Sequence, residues 1–349
     1  MTPTTTEEPG LANGASATAG DASAGDAQST PLINTSSHGP SSHGPANASV
    51  PTEPTRAQEA GVGSSEPVAA VLPSSTVVIE PRNSWVALEM GELWAYRELL
   101  YFLTWRDIKI RYKQSVLGAA WAIIQPLVTM LIFSFALARV ADMSSKTGGI
   151  PFGLATYVAL TPWTFFAGAV TNSGNSLVGS ANLISKVYFP RMLVPAAAVA
   201  ASVLDFAIAF AFLIPLFFFY HYTPALTPNL LLLPLLLVLL LVLALSVGMW
   251  MSALNVKYRD IRYALPFLIQ VGMFASPVFF WLGWIKEARW RTLMMLNPMT
   301  GILEGFRAAL FGLPINWPAL GVSGLVSGLL LVYALYTFRR MESSFADII

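Results

Sequence analysis

The feature that most constrains this chain is a succession of apolar runs, each long enough to cross a bilayer. From Leu117 onward, long apolar stretches alternate with short polar breaks, and about 20 apolar residues is the length at which a helix spans the hydrocarbon core. Six runs qualify: residues 118–138, 152–171, 193–220, 230–254, 263–283 and 320–338. The fourth is nearly continuous Leu and Val, interrupted by Pro234, whereas the second and fifth are broken by Pro162 and Pro277. The expected fold class is an all-α integral membrane protein with six transmembrane helices.

Composition supports a lipid solvent. Apolar residues make up 55% and charged residues 11% of the chain, where a soluble domain carries about 25% charged residues; mean hydropathy is +0.59. The formal net charge of +1 hides a clustered distribution of Lys and Arg. There is no cysteine, so neither disulfides nor thiolate metal sites exist, and His38, His43 and His221 are too scattered for a metal cluster. No metal site is expected.

Residues 1–82 differ from the rest. They are rich in Thr, Ala, Gly, Ser and Pro and contain a tandem Ser-Ser-His-Gly-Pro repeat at 36–45. Such a stretch buries too little apolar surface to order itself, and it lacks the basic start and apolar run of a secretory signal. A disordered cytoplasmic tail is expected, followed by a membrane domain over 83–349.

Basic residues accumulate on the cytoplasmic side of membrane helices. With the amino terminus inside, the inner segments hold Arg97, Arg106, Lys109, Arg111, Lys113, Lys186, Arg191, Lys257, Arg259, Arg262, Arg339 and Arg340, against Arg139, Lys146, Lys286, Arg289, Arg291 and Arg307 outside. Both termini are therefore expected in the cytoplasm.

Before the first run, Tyr101, Trp105, Ile108 and Tyr112 recur at helical spacing, with Arg106, Lys109 and Lys113 on a neighbouring face. The pattern suits an interfacial helix over about 95–116, lying flat among anionic headgroups; the alternative is a plain basic flank that fixes topology. Between the second and third runs, Leu177, Ala181, Ile184 and Tyr188 form a second stripe ended by Pro190. An exposed apolar stripe needs a partner, either a docking ATPase or this chain's own bundle.

Asp205 lies near the middle of the third run, where an ionised carboxylate costs about 2.5–3.5 kcal/mol on insertion scales. It should face the bundle interior or a polar cavity. With no basic residue inside another run to pair with it, an interhelical hydrogen bond or a protonated acid is favoured over a proton- or substrate-linked role. Residues 292–312, broken at Asn297-Pro298 and Gly301 and then helically spaced at Ile302, Phe306, Ala309 and Leu310, read as a re-entrant pair of half-helices. Glu304 and Arg307, three apart, would neutralise each other at a channel mouth. Aromatics crowd the same side, among them Trp163, Phe165, Phe166, Trp281 and Phe306, as an interfacial belt or as rings that stack on sugars.

No Gly-x-x-x-x-Gly-Lys-Ser/Thr loop occurs, so ATP hydrolysis through that motif is excluded. Gly-x-Ser-x-Gly and His-Glu-x-x-His are also missing. The chain is not expected to be an enzyme.

The stretch from Leu103 to Gly118, LTWRDIKIRYKQSVLG, followed by Trp121 and Gln125-Pro126, resembles the amino-terminal signature of ABC-2-type polysaccharide exporter permeases, which serve O-antigen, capsule and teichoic-acid export. PWTFF from Pro162, NLISKVYFPR from Asn182, NVKYRD from Asn255 and LNPM from Leu296 match the same family in the same order. The resemblance implies a homodimer with the sugar chain passing between copies, two separate ABC ATPase subunits carrying ATP and Mg, no cofactor in this chain, no nucleic-acid partner, and lipopolysaccharide biosynthesis at the cell inner membrane. It implies an ATPase-coupling region at 175–191 (Leu177, Ala181, Asn182, Ile184, Lys186, Tyr188, Arg191) and an elbow or gate at Trp105, Arg106, Asp107, Lys109, Arg111, Tyr112 and Lys113. Channel candidates are Trp163, Phe165, Phe166, Asp205, Glu304, Phe306 and Arg307. The rival expectation is an ABC-2 exporter of small hydrophobic drugs or lipids. The 80-residue tail departs from the family pattern.

Overall fold

The computed structural model describes residues 95–113, 117–140, 147–187 and 189–348; the expectations for residues 1–82 and for Tyr188 lie outside them. All regular structure among the described residues is helical. In chain order the α-helices are α1 (Arg97–Lys113), α2 (Ala120–Val140), α3 (Phe152–Gly179), α4 (Ala181–Ile184), α5 (Leu193–Ala211), α6 (Leu213–Phe219), α7 (Leu233–Lys257), α8 (Ile261–Phe274), α9 (Ala288–Met295), α10 (Pro298–Phe311) and α11 (Trp317–Ile348).

Among the described residues, five segments are long and apolar enough to cross a membrane: Ala120–Leu137, Phe152–Gly179, Leu193–Phe219, Pro228–Lys257 and Trp317–Glu342. The remaining expected span, 263–283, is helical only to the end of α8, whose 14 residues reach about 21 Å at 1.5 Å per residue. That falls short of a hydrocarbon core of about 30 Å. Pro277 follows three residues later, and the chain runs through turns into a 3₁₀ turn at Leu282–Trp284.

The other prolines act by position. Pro162 sits inside α3 without ending it, and the Thr161 and Thr164 hydroxyls donate to the Tyr157 and Thr161 carbonyls nearby. Pro234 falls in the first turn of α7, where its missing N–H is an orphan in any case. Pro215 leaves the Ala211 carbonyl without its helical donor, and the third segment is split there into α5 and α6.

α3 is the hub, buried along most of its length, and α7 packs against both α3 and α11. On α7, Leu236, Leu240 and Leu243 face the bundle while Leu235 and Val238 lie outward. Close crossings use glycine. A Cβ on Gly248 would fall 2.6 Å from Ser173 Oγ, and one on Gly301 would fall 2.3 Å from the Ala319 carbonyl oxygen. Gly301 therefore does not break a helix: it lies within α10, and its lack of a side chain lets α11 approach. The break lies at Asn297, whose side chain accepts from Met299 N at 3.0 Å and donates to the Ala275 carbonyl at 3.0 Å. Gly312, at φ +68°, closes α10 in the left-handed conformation.

Candidate functional site

α1 runs alongside α5 rather than standing apart from the bundle. Near its start, Leu103 is buried in an apolar cluster with Leu193, Val194 and Ala197 of α5. Two helical turns on, Arg111 Nη1 donates to Asp205 Oδ2 and the Tyr112 hydroxyl donates to Asp205 Oδ1. The partner missing from the other apolar runs is supplied by the basic flank. Arg111 and Asp205 each keep 30% side-chain exposure, so the pair is half-sheltered. Burial, then the hydrogen bond to Asp205 and its charge, raises the Tyr112 phenol well above its ordinary value, so its hydroxyl stays a donor.

This ion pair borders a cavity of about 230 Å³. Arg111 and Tyr112 of α1, Gly118 before α2, and Trp121, Gln125 and Pro126 of α2 line one side; Thr164, Phe165 and Gly168 of α3 and Ser202 and Phe206 of α5 line the other. Residues strung through the amino-terminal signature thus converge on Asp205. Sequence reasoning missed Ser202, which carries no local pattern, and quoted Trp121, Gln125 and Thr164 without a role.

A larger groove of about 630 Å³ shares Arg111 and continues beneath α1, between Arg106 and Asp107 on one wall and Asn172, Asn175 and Asn182 on the other. Arg106 bonds its neighbour Asp107 at 2.8 Å. Trp105, Lys109 and Lys113 point outward, with Lys109 Nζ 5.6 Å from the Trp105 ring centre.

The second stripe does not form one exposed helix. α3 ends at Gly179, the chain turns at Ser180, and α4 begins afresh. Leu177 and Ile184 are buried with Phe189, Met192, Met249, Phe338 and Phe345, so these two expected docking residues belong to the protein's own core. The outward face carries Val178, Asn182, Lys186 and Val187, with Ala181 half-buried. Arg191 is tied down, donating from Nη1 to the Glu342 carbonyl at 2.8 Å.

The expected Glu304–Arg307 ion pair is present, and shorter contacts join it. Their closest approach is 3.6 Å and Arg307 keeps only 2% exposure. Its guanidinium donates to the carbonyls of Pro277 at 2.8 Å, Val278 at 2.5 Å and Phe280 at 2.9 Å, while Glu304 accepts from Leu282 N at 3.2 Å. The two side chains hold the irregular segment after α8, whose carbonyls have no helical donors. Trp163, Phe165 and Phe306 are buried among other rings, Phe165 and Phe306 both against Phe206, and Phe166 is half-buried. Within one chain these are core residues.

The model of the family described as ABC-2 type transporter matches residues 98–311. The chain belongs to the ABC-2 transporter family. This ABC-2 membrane protein is similar to an O-antigen export system permease protein RfbA of Myxococcus xanthus, 29% identical over 259 residues that cover 73% of this chain and 97% of that protein. A protein of the same description from Klebsiella pneumoniae is 26% identical over 252 residues, 72% of this chain and 95% of its own. The ABC-2 match opens within α1 and closes at the end of α10, so it takes in both the Asp205 cavity and the Arg307 clamp of this multi-pass protein.

Proposed function

We propose that this chain is the permease subunit of an ATP-driven exporter of lipid-linked polysaccharide of the O-antigen type, acting across the cell inner membrane with both termini in the cytoplasm. The observation that carries this reading is similarity to O-antigen export permeases along nearly their whole length, 97% and 95% of two of them. Family membership implies a separate ABC ATPase, and two copies of it, holding ATP and Mg, would drive a homodimer of this subunit. The chain offers no phosphate-binding loop of its own.

In this reading the turn at Ser180 is the coupling point. Its inner side, at Ile184, is anchored among α3, α5, α7 and α11 through Leu177, Leu193, Met249 and Phe338, so a push on Asn182, Lys186 or Val187 reaches four helices at once. Deleting the gene in its own host tests the reading. Surface polysaccharide should vanish and return with the intact gene; unchanged polysaccharide would overturn it.

A further inference from the structure

The cavity beside Asp205 has a chemistry that points to one kind of occupant. At about 230 Å³ it is smaller than the roughly 300–1,000 Å³ sites that hold drug-sized ligands. It suits a single ring. One wall is an Arg–carboxylate pair whose charges cancel, so an anion or a cation gains little net attraction there. A hydroxyl fits it well, because it can donate to the carboxylate and accept from the guanidinium. Asp205 receives one donor on each oxygen and has acceptor capacity left, and Arg111 has five N–H donors in all. Gln125 adds an amide, and Trp121, 54% exposed, offers a flat apolar face at the rim of the kind that takes amphipathic rings. Gly168 leaves the α3 wall open, since a Cβ there would meet nothing within 4 Å.

We propose that this cavity is a subsite for one neutral sugar residue of the exported chain, held by the Arg111–Asp205 pair and Gln125 and stacked on Trp121. The assignment rests on the polysaccharide reading above and sharpens it. The site lies within a single chain, between α1, α2, α3 and α5, and the polar groove that shares Arg111 leads away from it beneath α1.

The absence of native cysteine gives a direct test in the purified permease–ATPase complex. With Ala122→Cys, another residue lining the cavity, as the permease's only thiol, alkylation of the permease by a hydrophilic maleimide should slow several-fold when an excess of the repeat oligosaccharide released from the host's own surface polysaccharide is added. Inorganic pyrophosphate should have no such effect, and a thiol at exposed Arg340→Cys should be protected by neither. Gly168→Leu, whose Cβ would meet no atom within 4 Å and whose side chain would enter the cavity, should abolish the protection and cut export in cells, whereas Gly321→Leu, with a Cβ in equally open space on α11, should do neither.

No protection at residue 122, protection by pyrophosphate alone, or full export by Gly168→Leu would each overturn the subsite. If deletion of the gene abolishes surface polysaccharide while Gly168→Leu exports normally, the subsite falls and the export function stands. If deletion leaves the polysaccharide intact, it is the export function that falls.

Discussion

Arg111 and Asp205 are joined across 94 residues of sequence, fixing the end of α1 to the middle of α5. The carboxylate is the one that an apolar segment tolerates least, and the guanidinium comes from a helix outside the apolar runs. Each solves the other's solvation problem. Removing Arg111 alone leaves a carboxylate short of its donor, so Arg111→Ala should lower stability by about 1–3 kcal/mol. The double variant with Asp205→Ala should cost less than the sum of the singles. Thermal unfolding of the detergent-solubilised protein checks this; additive losses would mean the pair is not coupled.

The route to that pair shows what the sequence makes legible. Five long helices follow from run length alone, because any helix that long and apolar satisfies its own backbone in lipid. The partner of Asp205 does not follow, since a search confined to the apolar runs passes over Arg111 and nothing local links the two. Uniform Leu on α7 likewise hides which side faces the bundle: Leu236 and Leu235 are chemically identical, yet one is buried and the other exposed.

Arg307 shows a pair that spacing does reveal, beside partners that it does not. Its spacing from Glu304 suggests a local ion pair, but its main partners are three carbonyls lying 27 to 30 residues earlier. A lysine ammonium cannot reproduce that planar spread of donors. Arg307→Lys should therefore lose most of the stability that Arg307→Ala loses, about 3 kcal/mol or more given several buried carbonyls left unpaired. The fraction of protein eluting monodisperse after detergent extraction reports it, and a wild-type profile for Arg307→Lys would refute the clamp.

The α10–α11 crossing gives a graded test of backbone approach. Gly301→Ala places a methyl 2.3 Å from the Ala319 carbonyl oxygen, whereas Gly324→Ala on α11 makes an ordinary 3.7 Å contact with Leu239. Overpacking of this kind costs about 1–3 kcal/mol, so Gly301→Ala should lower the unfolding temperature clearly while Gly324→Ala leaves it within error. Equal shifts would show that the crossing yields freely.

If the turn at Ser180 is the coupling point, its geometry sets which face an ATPase would meet. A stripe at 177, 181, 184 and 188 requires one continuous helix, but Gly179 and Ser180 end α3, and the restart of α4 rotates the later positions. Leu177 and Ile184 point into the core, with 0% and 8% exposure, while Val187 keeps 53%. Disrupting the buried pair and disrupting the outer face should therefore give different defects. Leu177→Asp buries an unpaired carboxylate and should reduce the amount of folded permease itself. Lys186→Glu combined with Val187→Asp changes only exposed positions, so the permease should accumulate and unfold normally, yet lose the ATPase on affinity purification. Full ATPase recovery by the outer-face variant would move the contact elsewhere on the chain; its loss, with the fold intact, would place the contact on the side of the turn opposite to the one that periodicity alone selects.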